Sequence, residues 1–360
     1  MENSVPSSLD NLYSGLDAWR ISEKDYSPSN DEIDNLKFFL RFAILAPSSH
    51  NSQPWIFKIP QKNRIELYVD RTRALPIEDP GDRLMTISCG AALCNLQLTL
   101  EYFGYNYETK LVPNGENDDL VAQIHINKKL ETRNSIDGNL KKLFTSITKR
   151  RTNRSGYENK PIPDSIVSQI DKIVTNNTSD VWVHVVKDKL EKNTLADLIE
   201  KGEQTRWSNK KFRQELAPWI GSNRNTSMDG LPAHSVGLNN ALSFMIPFFI
   251  RTFNLGKMEG AKNRKLVIRS PMLLIIGTNS DNPKDWLNVG ICLEYILLAT
   301  ISENIWCTFV NQPTEIPELR KHLAELIHQN NKYPQIMLRV GYSKKDVKPT
   351  PRRPLDQVLH

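Results

Sequence analysis

One polar segment between two prolines carries the side chains best suited to holding a ligand. It reads Ala46-Pro47-Ser48-Ser49-His50-Asn51-Ser52-Gln53-Pro54-Trp55, after an apolar helical pattern and before a short alternating run. Because a residue that precedes proline disfavours helix, the helix is expected to end at Ala46. The hydroxyl and amide groups of the segment can donate and accept several hydrogen bonds, which suits a polar, planar ligand. The alternative is an ordinary helix-to-strand connection rich in turn-forming residues.

Two compact basic clusters are suited to binding an anion. One is Lys149-Arg150-Arg151 with Arg154, and the other is Arg352-Arg353 in a proline-rich tail. Arginine suits a phosphate group because its planar fork offers paired donors and keeps its positive charge. The alternative for each is a solvated surface cluster. Basic residues elsewhere are scattered among acidic ones, so the net charge of +6 favours local phosphate binding and predicts no nucleic-acid partner.

The composition is that of an ordinary globular protein. The chain has 360 residues, of which 39% are hydrophobic and 24% charged, which indicates two domains or one duplicated domain. No apolar run reaches the roughly 18 residues of a membrane span, and the N-terminus lacks a signal-peptide pattern. We therefore expect a cytoplasmic protein without membrane contact. The four cysteines stand apart in apolar stretches, which predicts buried free thiols and no metal site.

Apolar periodicity predicts the elements that position these residues. Helical spacing covers 33–44, 84–102, 140–147, 164–174, 190–220 and 285–300, and strand patterns cover 56–59, 64–70, 107–112, 120–126, 181–186, 272–277, 305–310 and 336–340. Residues 221–265 are the least regular stretch, and a long irregular segment in a compact protein is typical of a lid or a binding loop.

The chain shows signs of an internal duplication. Gly90 lies 14 residues before Gly104, and Gly290 lies 14 residues before Asn304, in two long helical patterns that are apolar nearly all round. Glycine and asparagine are the usual residues at a left-handed helix end, so both helices are expected to end there. We predict an α+β fold with an N-terminal arm at 1–29, a first half at 30–135, and a second half at 136–360 that includes a lid at about 221–265.

The polar segment resembles the P-S-S-x-N-x-Q-P-W loop of the nitroreductase family of flavoproteins, and its form is most similar to the Acg-like branch. The run Arg150-Arg151-Thr152-Asn153-Arg154 resembles the R-R-S-x-R opening of that family. The resemblance implies a nitroreductase-like fold with FMN as cofactor. In the family the opening binds the FMN phosphate and ribityl chain, while the partner subunit supplies the loop. Because each half of this chain holds one of the two motifs, the resemblance implies a monomer that forms an intramolecular pseudo-dimer with one flavin.

The resemblance also implies which residues bind the cofactor. They are Pro47, Ser48, Ser49, Asn51 and Gln53 in the loop, Arg150, Arg151 and Thr152 in the opening, Val310, Asn311 and Gln312 after a strand, and Arg352 and Arg353 near the end. No catalytic side chain is implied, because a flavin carries the hydride and the protein positions the cofactor. Histidine is a residue type that can serve as an acid or a base, but for His50 a packed or surface side chain is the interpretation that we favour.

Three functions stay open. The first, implied by the resemblance, is an FMN-dependent oxidoreductase in which NAD(P)H supplies a hydride to an unknown small-molecule acceptor, a nitroaromatic or a quinone. The second is an FMN-binding storage protein without turnover, in which the apolar residues 242–253 of the lid fold over the flavin. The third is chemistry on the flavin itself, as in the related flavin-cleaving branch.

Overall fold

The computed structural model describes residues 10–29, 31–112, 118–129, 137–177, 180–222, 227–236 and 243–360. Within these ranges the chain forms eleven α-helices and ten β-strands. The helices are α1 (Glu32–Ala43), α2 (Arg83–Tyr102), α3 (Gly138–Ile147), α4 (Asp164–Asn177), α5 (Lys189–Ser208), α6 (Lys210–Leu216), α7 (Ile246–Thr252), α8 (Gly256–Arg269), α9 (Pro283–Ser302), α10 (Gln312–Glu315) and α11 (Pro317–Leu326). The strands are β1 (Trp55–Gln61), β2 (Arg64–Val69), β3 (Tyr105–Leu111), β4 (Leu120–Lys129), β5 (Val181–Val186), β6 (Ile220–Gly221), β7 (Leu231–Pro232), β8 (Met272–Thr278), β9 (Trp306–Phe309) and β10 (Tyr333–Gly341).

Two four-stranded antiparallel sheets form the framework. The first has the strand order β1-β2-β4-β3 and the second has the order β5-β8-β10-β9. In both sheets a long helix, α2 or α9, follows the second strand, and the fourth strand in chain order lies between the second and the third. The combination of helices with antiparallel sheets confirms the predicted α+β class. The shared strand order supports the proposal of two half-repeats.

The two long helices cross at a pair of glycines. A Cβ atom on Gly90 would lie 2.3 Å from the carbonyl oxygen of Leu287, and one on Gly290 would lie 2.1 Å from the carbonyl oxygen of Ile87. These two contacts are reciprocal, as across a two-fold axis. Gly290 stands 200 positions after Gly90, and Leu287 stands 200 positions after Ile87. Only glycine allows two backbones to approach this closely. The predicted left-handed ends are confirmed, since φ is +80° at Gly104 and +58° at Asn304.

The two halves are interleaved. The Phe144 ring of α3 stacks on the Tyr102 ring of α2, with 3.9 Å between the ring centroids. At the end of the chain, the Phe57 N–H donates to the Val358 carbonyl at 2.7 Å, so the C-terminal residues extend the edge of the first sheet at β1. The predicted boundary at residues 135–136 lies outside the described residues.

Two stretches differ from the expected elements. The single helix expected over 190–220 is divided into α5 and α6 at Asn209. Asn209 has extended backbone angles, and its side chain accepts a hydrogen bond from the Lys211 N–H at 2.9 Å, so it caps the start of α6. The stretch 221–265, expected to be irregular, contains α7 and the start of α8.

One described helix, α9, is long and apolar enough to cross a membrane by length and composition. This corrects the expectation that no segment would reach that threshold. Of its most apolar window, 78% is buried inside the protein, which is what a core helix shows. The four cysteines are free and buried, as predicted.

Replacing Gly290 by alanine is expected to destabilise the protein, because the added methyl group would overlap the Ile87 carbonyl and push α2 and α9 apart. The free energy of unfolding, measured by urea denaturation, should fall by about 1–3 kcal/mol. Gly138→Ala is the matched control, since a Cβ atom there meets nothing within 4 Å. Equal stability of the two variants would contradict the close crossing.

Candidate functional site

A cavity of about 540 Å³ is lined by residues of both halves, and a smaller one of about 60 Å³ adjoins it. The larger cavity is lined by Pro47, Ser48, Ser49, Val310, Asn311 and Gln312, and the smaller by Asn51, Arg150, Arg151, Thr152 and Arg352. The two share Pro47 and Ser48, so they form one continuous site. A cavity of this size is typical of small-molecule and cofactor sites. The fold thus brings together eleven of the thirteen predicted site residues.

The loop that follows α1 has an unusual backbone conformation. His50, Asn51 and Gln53 have φ values of +49°, +57° and +53°, which residues other than glycine rarely adopt. Each such residue costs on the order of 1–3 kcal/mol, and residues of this kind cluster at ligand sites. The surrounding hydrogen bonds must therefore hold the loop in place.

Asn51 and Gln53 supply those hydrogen bonds. Asn51 Nδ2 donates to the Gly230 carbonyl at 3.0 Å, and Gln53 Nε2 donates to the Met228 carbonyl at 2.8 Å. Gln53 Oε1 accepts from the Arg353 N–H at 2.8 Å. Gln53 is fully buried and lines neither cavity. Its amide anchors the loop to the segment before β7 and to the C-terminal tail.

The two C-terminal arginines have different surroundings. Arg352 lines the smaller cavity, and its Nη1 donates to Asn51 Oδ1 at 2.6 Å. Arg353 lines neither cavity; its Nη1 lies 3.4 Å from Asp70 Oδ2, and its Nη2 donates to the Gln357 carbonyl at 2.7 Å. The structure therefore brings only Arg352 of this predicted pair to the site.

The smaller cavity is strongly cationic. Its charged lining is Arg150, Arg151, Arg154, Lys348 and Arg352, with no carboxylate among the described lining residues. Burial lowers the pKa of Arg151 to about 9, and the neighbouring Arg150 adds to this shift. Burial likewise lowers the pKa of Arg352, with further contributions from Arg150 and Arg151. Because arginine keeps its proton in proteins, these shifts mean that the positive charge is unfavourable here until an anion offsets it.

A buried carboxyl group behind this cavity offsets part of that charge. Glu294 of α9 is fully buried, and its Oε1 lies 3.5 Å from Arg150 Nε. Burial raises the pKa of Glu294 to about 7, although Arg150 opposes the shift. Near neutral pH this carboxyl is therefore only partly ionised, and the cavity keeps an excess of positive charge.

The N-terminal arm closes the cationic end of the site. Its described part includes a 3-10 helix, Asp10–Arg20, in which Trp19 is buried. The Trp19 ring lies 3.8 Å from the guanidinium carbon of Arg151 and 4.6 Å from that of Arg352. Such cation–π contacts orient both guanidinium groups. The segment that we predicted as an arm thus contributes directly to the site.

The segment from Val310 to Gln312 follows β9 and includes the first residue of α10. It is hydrogen bonded to β10. The Val310 N–H donates to the Met337 carbonyl at 2.9 Å, and Asn311 Oδ1 accepts from the Met337 N–H at 2.9 Å. The Val310 N–H is therefore already engaged, and this residue contributes a wall of the cavity rather than a free donor.

Two further arginines line the larger cavity: Arg154, which was predicted from the sequence as part of the basic cluster but not among the cofactor-binding residues, and Arg339, which was not singled out from the sequence. Arg339 of β10 is buried, its Nη1 has no hydrogen-bond partner in the described structure, and its guanidinium carbon lies 4.4 Å from the Tyr157 ring. Burial lowers its pKa. Arg154 lines both cavities, and burial together with Arg339 lowers its pKa to about 10. In the sequence, Arg154 is recognisable as the third arginine of the R-R-S-x-R-like run, and Arg339 is recognisable as a single charged residue within an apolar strand.

A second charged region of the larger cavity consists of Glu78, Glu203 and Glu315 with Arg206 and His50, and we call it the acidic wall. Arg206 Nη1 lies 3.5 Å from Glu78 Oε1 and also contacts Glu315, while its Nη2 lies 3.2 Å from Glu203 Oε2. His50 Nε2 contacts Glu78 Oε2. Only the Glu203–Arg206 spacing is visible in the sequence, because the other members meet through the tertiary fold.

The described part of the segment expected as a lid lines the site with one leucine and several polar residues. Leu231, His234 and Ser235 line both cavities, and Glu259, Lys262 and Asn263 line the larger one. The phenylalanines expected over the ligand instead face solvent: Phe244, Phe248, Phe249 and Phe253 are 69%, 59%, 39% and 48% exposed. Their expected position is therefore wrong, since residues 243–253 do not line the cavity, while residue 242 lies outside the described residues.

Replacing Arg339 by methionine is expected to stabilise the ligand-free protein, because it removes a buried, incompletely bonded charge. The free energy of unfolding in urea should rise by about 1–3 kcal/mol. Arg83→Met is the matched control, since Arg83 is also buried but donates to the carbonyls of Gln335 and Thr314 at 2.8 Å. That variant should lose about 1–3 kcal/mol. If both variants lose stability, Arg339 is an ordinary structural arginine.

Solved structures that resemble this chain include nitroreductases. A Bacteroides fragilis nitroreductase with bound FMN aligns over 57% of this chain and 94% of its own, with 17% identity and a TM-score of 0.36. The NADPH:FMN oxidoreductase of Vibrio harveyi in complex with NAD⁺ aligns over 58% and 71%, with 13% identity and a TM-score of 0.36. These scores are too low for either superposition to carry a conclusion about this chain.

Comparison of sequences supports a firmer conclusion than these structural superpositions. No protein-family model matches the chain. Acg of Mycobacterium tuberculosis, named as a candidate NAD(P)H nitroreductase, is 28% identical over 331 residues, which are 91% of this chain and 96% of Acg. A second M. tuberculosis protein with the same kind of name is 23% identical over 331 residues, which are 91% of this chain and 92% of that protein. This chain is therefore a homologue of proteins named as NAD(P)H nitroreductases, and the predicted resemblance to the Acg-like branch is confirmed.

Proposed function

We propose that this protein is an FMN-dependent oxidoreductase of nitroreductase type that takes a hydride from NAD(P)H. The observation that carries the proposal is the charge distribution of the site. Five cationic side chains and no described carboxylate line one end of a continuous cavity, and the other end is larger and partly apolar. FMN matches that division, because a phosphate that carries nearly two negative charges is joined through a polar ribityl chain to a planar ring.

The residues present fit this cofactor. Arg151 and Thr152 would bind the phosphate, because a charged fork and a hydroxyl can donate to its oxygens. Arg352 would add its positive charge, since its two Nη atoms donate to Asn51 Oδ1 and to the carbonyls of Leu45 and Ala46. Pro47, Ser48 and Ser49 would contact the ribityl chain and the ring from the loop, and residues 310–312 would contact them from the other half. Bound FMN would supply the hydride-transfer chemistry. Arg154 and Arg339 would favour a cofactor that gains negative charge on reduction, because their own charges are incompletely offset.

The remaining parts of the proposal follow from the construction of the site. Both halves of one chain line the cavity, so we infer a monomer in which an intramolecular pseudo-dimer holds one flavin. Homologues named as NAD(P)H nitroreductases support NAD(P)H as the reductant, and a nitroaromatic or a quinone is the inferred acceptor. Free, buried thiols agree with a reducing cytoplasmic location.

Replacing Arg151 by alanine is expected to weaken binding of FMN much more than binding of riboflavin, which lacks the phosphate. Loss of a charge-assisted hydrogen bond costs about 1.5–3 kcal/mol, so the FMN dissociation constant should rise at least about tenfold. Fluorescence titration of the flavin-free protein with each ligand measures both constants.

Arg353→Ala is the matched control for that measurement. It also removes one arginine charge from the site region, but Arg353 lines neither cavity, and its side chain contacts Asp70 and the carbonyls of Gln53 and Gln357. The ratio of the two dissociation constants should stay close to that of the unmodified protein. If Arg151→Ala weakens both ligands equally, the small cavity does not bind the phosphate and the proposal fails.

A second candidate function, a protein that shields FMN without turnover, is favoured by one observation. The described part of the segment at 221–265 lines the site through Leu231, His234 and Ser235, as a cover would. The two functions differ in one observable quantity, the rate at which NADPH bleaches the absorbance of bound FMN. Rapid bleaching supports the oxidoreductase, and an unreactive flavin supports the shielding protein.

A further inference from the structure

The acidic wall combines residues from four separate parts of the chain. His50 belongs to the polar loop, Glu78 precedes α2, Glu203 and Arg206 lie on α5, and Glu315 ends α10. Side-chain exposure is 13% for His50, 15% for Arg206, and between 4% and 6% for the three carboxylates. His50 and Arg206 are thus the most exposed members of the cluster, and the three carboxylates are nearly buried.

The charges of the acidic wall do not balance by themselves. Three carboxylates surround a single guanidinium, so the fully ionised cluster with a neutral His50 carries an excess of two negative charges. A buried excess of this size is costly, and bound protons are the simplest way to remove it. Arg83 faces Glu315 and offsets one of these charges, so at least one bound proton is still needed for neutrality, which makes the cluster a store of protons beside the cavity.

A second observation indicates that this wall faces a ligand. Gln312 is buried and lines the cavity next to the cluster, and its Nε2 donates to Glu203 Oε1 at 2.7 Å. Its Oε1 has no hydrogen-bond partner in the described structure. A buried amide oxygen left without a donor is costly unless a bound molecule supplies one.

We propose that the acidic wall is the proton source for the reduction of a quinone-type acceptor in the larger cavity. This proposal rests on the proposed oxidoreductase function. A quinone that receives a hydride, originally from NAD(P)H, becomes a hydroquinone monoanion and needs one proton to complete Q + H⁻ + H⁺ → QH₂. His50 at the cavity surface passes that proton to the quinone oxygen and regains one from Glu78, which it contacts. Glu78 takes a replacement from Glu315, whose carboxyl contacts the same Arg206 Nη1, and solvent reloads Glu315.

The groups around Glu315 account for its ability to hold a proton. It faces Arg206 and Glu203 of α5, Glu78 and His50 of the first half, and Arg83 of α2, while Glu215 of α6 lies near Glu78 and His50. Burial raises the pKa of Glu315 to about 7; Arg206 opposes this shift and Glu78 adds to it. Burial also raises the pKa of Glu78, but the nearby His50 and Arg206 outweigh it and keep that carboxyl ionised. One carboxyl can thus exchange a proton near neutral pH while its neighbour holds His50 in place.

The first test needs no cofactor. Carboxyl ¹³C resonances of the flavin-free protein, labelled at glutamate, are followed from pH 4 to pH 9, and Glu315→Gln identifies the resonance of Glu315. We expect that resonance to titrate near pH 7, and to shift its midpoint in His50→Asn. Asparagine suits this variant because it tolerates positive φ. A Glu315 midpoint near the ordinary value of about 4.3 overturns the proposal.

The second test uses the flavin-loaded protein with menadione as acceptor. We expect kcat/KM to fall as the pH rises through 7 in the unmodified protein, because the donor must be protonated. In Glu315→Gln and in His50→Asn the rate at pH 6 should drop about 100-fold, and the fall above pH 7 should disappear. Glu259→Gln is the matched control, since Glu259 lines the same cavity but pairs with Lys262 outside the cluster. Its pH profile should be unchanged.

The possible failures can be told apart. If the chain binds no FMN, the proposed function fails, and the titration of Glu315 still shows whether the cluster stores a proton. If FMN binds and menadione is reduced with the same pH profile in all four proteins, the oxidoreductase stands and the proton source lies elsewhere.

Discussion

The crossing of α2 and α9 determines where a site can form in this protein. Because Gly90 and Gly290 let the two backbones touch, Ile87 and Ala91 of the first half line the same cavity as Leu293 of the second. Helix α9 also carries Glu294 to Arg150 behind the cationic end. A packing constraint in the core therefore sets the distance between the polar loop and the arginine cluster, which lie about 100 residues apart in the sequence.

Buried positive charge without a neighbouring negative charge is the feature that distinguishes the site from the rest of the protein interior. Arg339 is buried with its Nη1 unbonded in the described structure, whereas the equally buried Arg83 donates to backbone carbonyls. Arg352 and Arg151 also donate to backbone carbonyls, but within the described residues neither of them forms an ion pair with a carboxylate. Proteins are stable by only about 5–15 kcal/mol, so several uncompensated cations are a substantial burden. Their retention is explained if an anionic ligand completes the structure. The left-handed residues of the loop fit the same explanation, because strain of that kind concentrates where a ligand is held.

Local patterns predicted more of this protein than long-range ones. The loop, the arginine run and the two helix ends were found because short spacing and backbone chemistry determine them. Arg353 was assigned with Arg352 on adjacency alone, and only the folded tail shows that Asp70 and Gln357 engage it. The acidic wall was missed because its members are far apart in the sequence. The break at Asn209 was missed because a single capping residue interrupts an otherwise continuous helical pattern.

We propose that one chain builds one complete flavin site from its two halves. Native mass spectrometry of the protein loaded with excess FMN can decide this, because the method counts chains and cofactors in the same particle. A single composite site predicts one FMN on a monomer. Two FMN molecules on one chain, or FMN bound only to dimers, would contradict it.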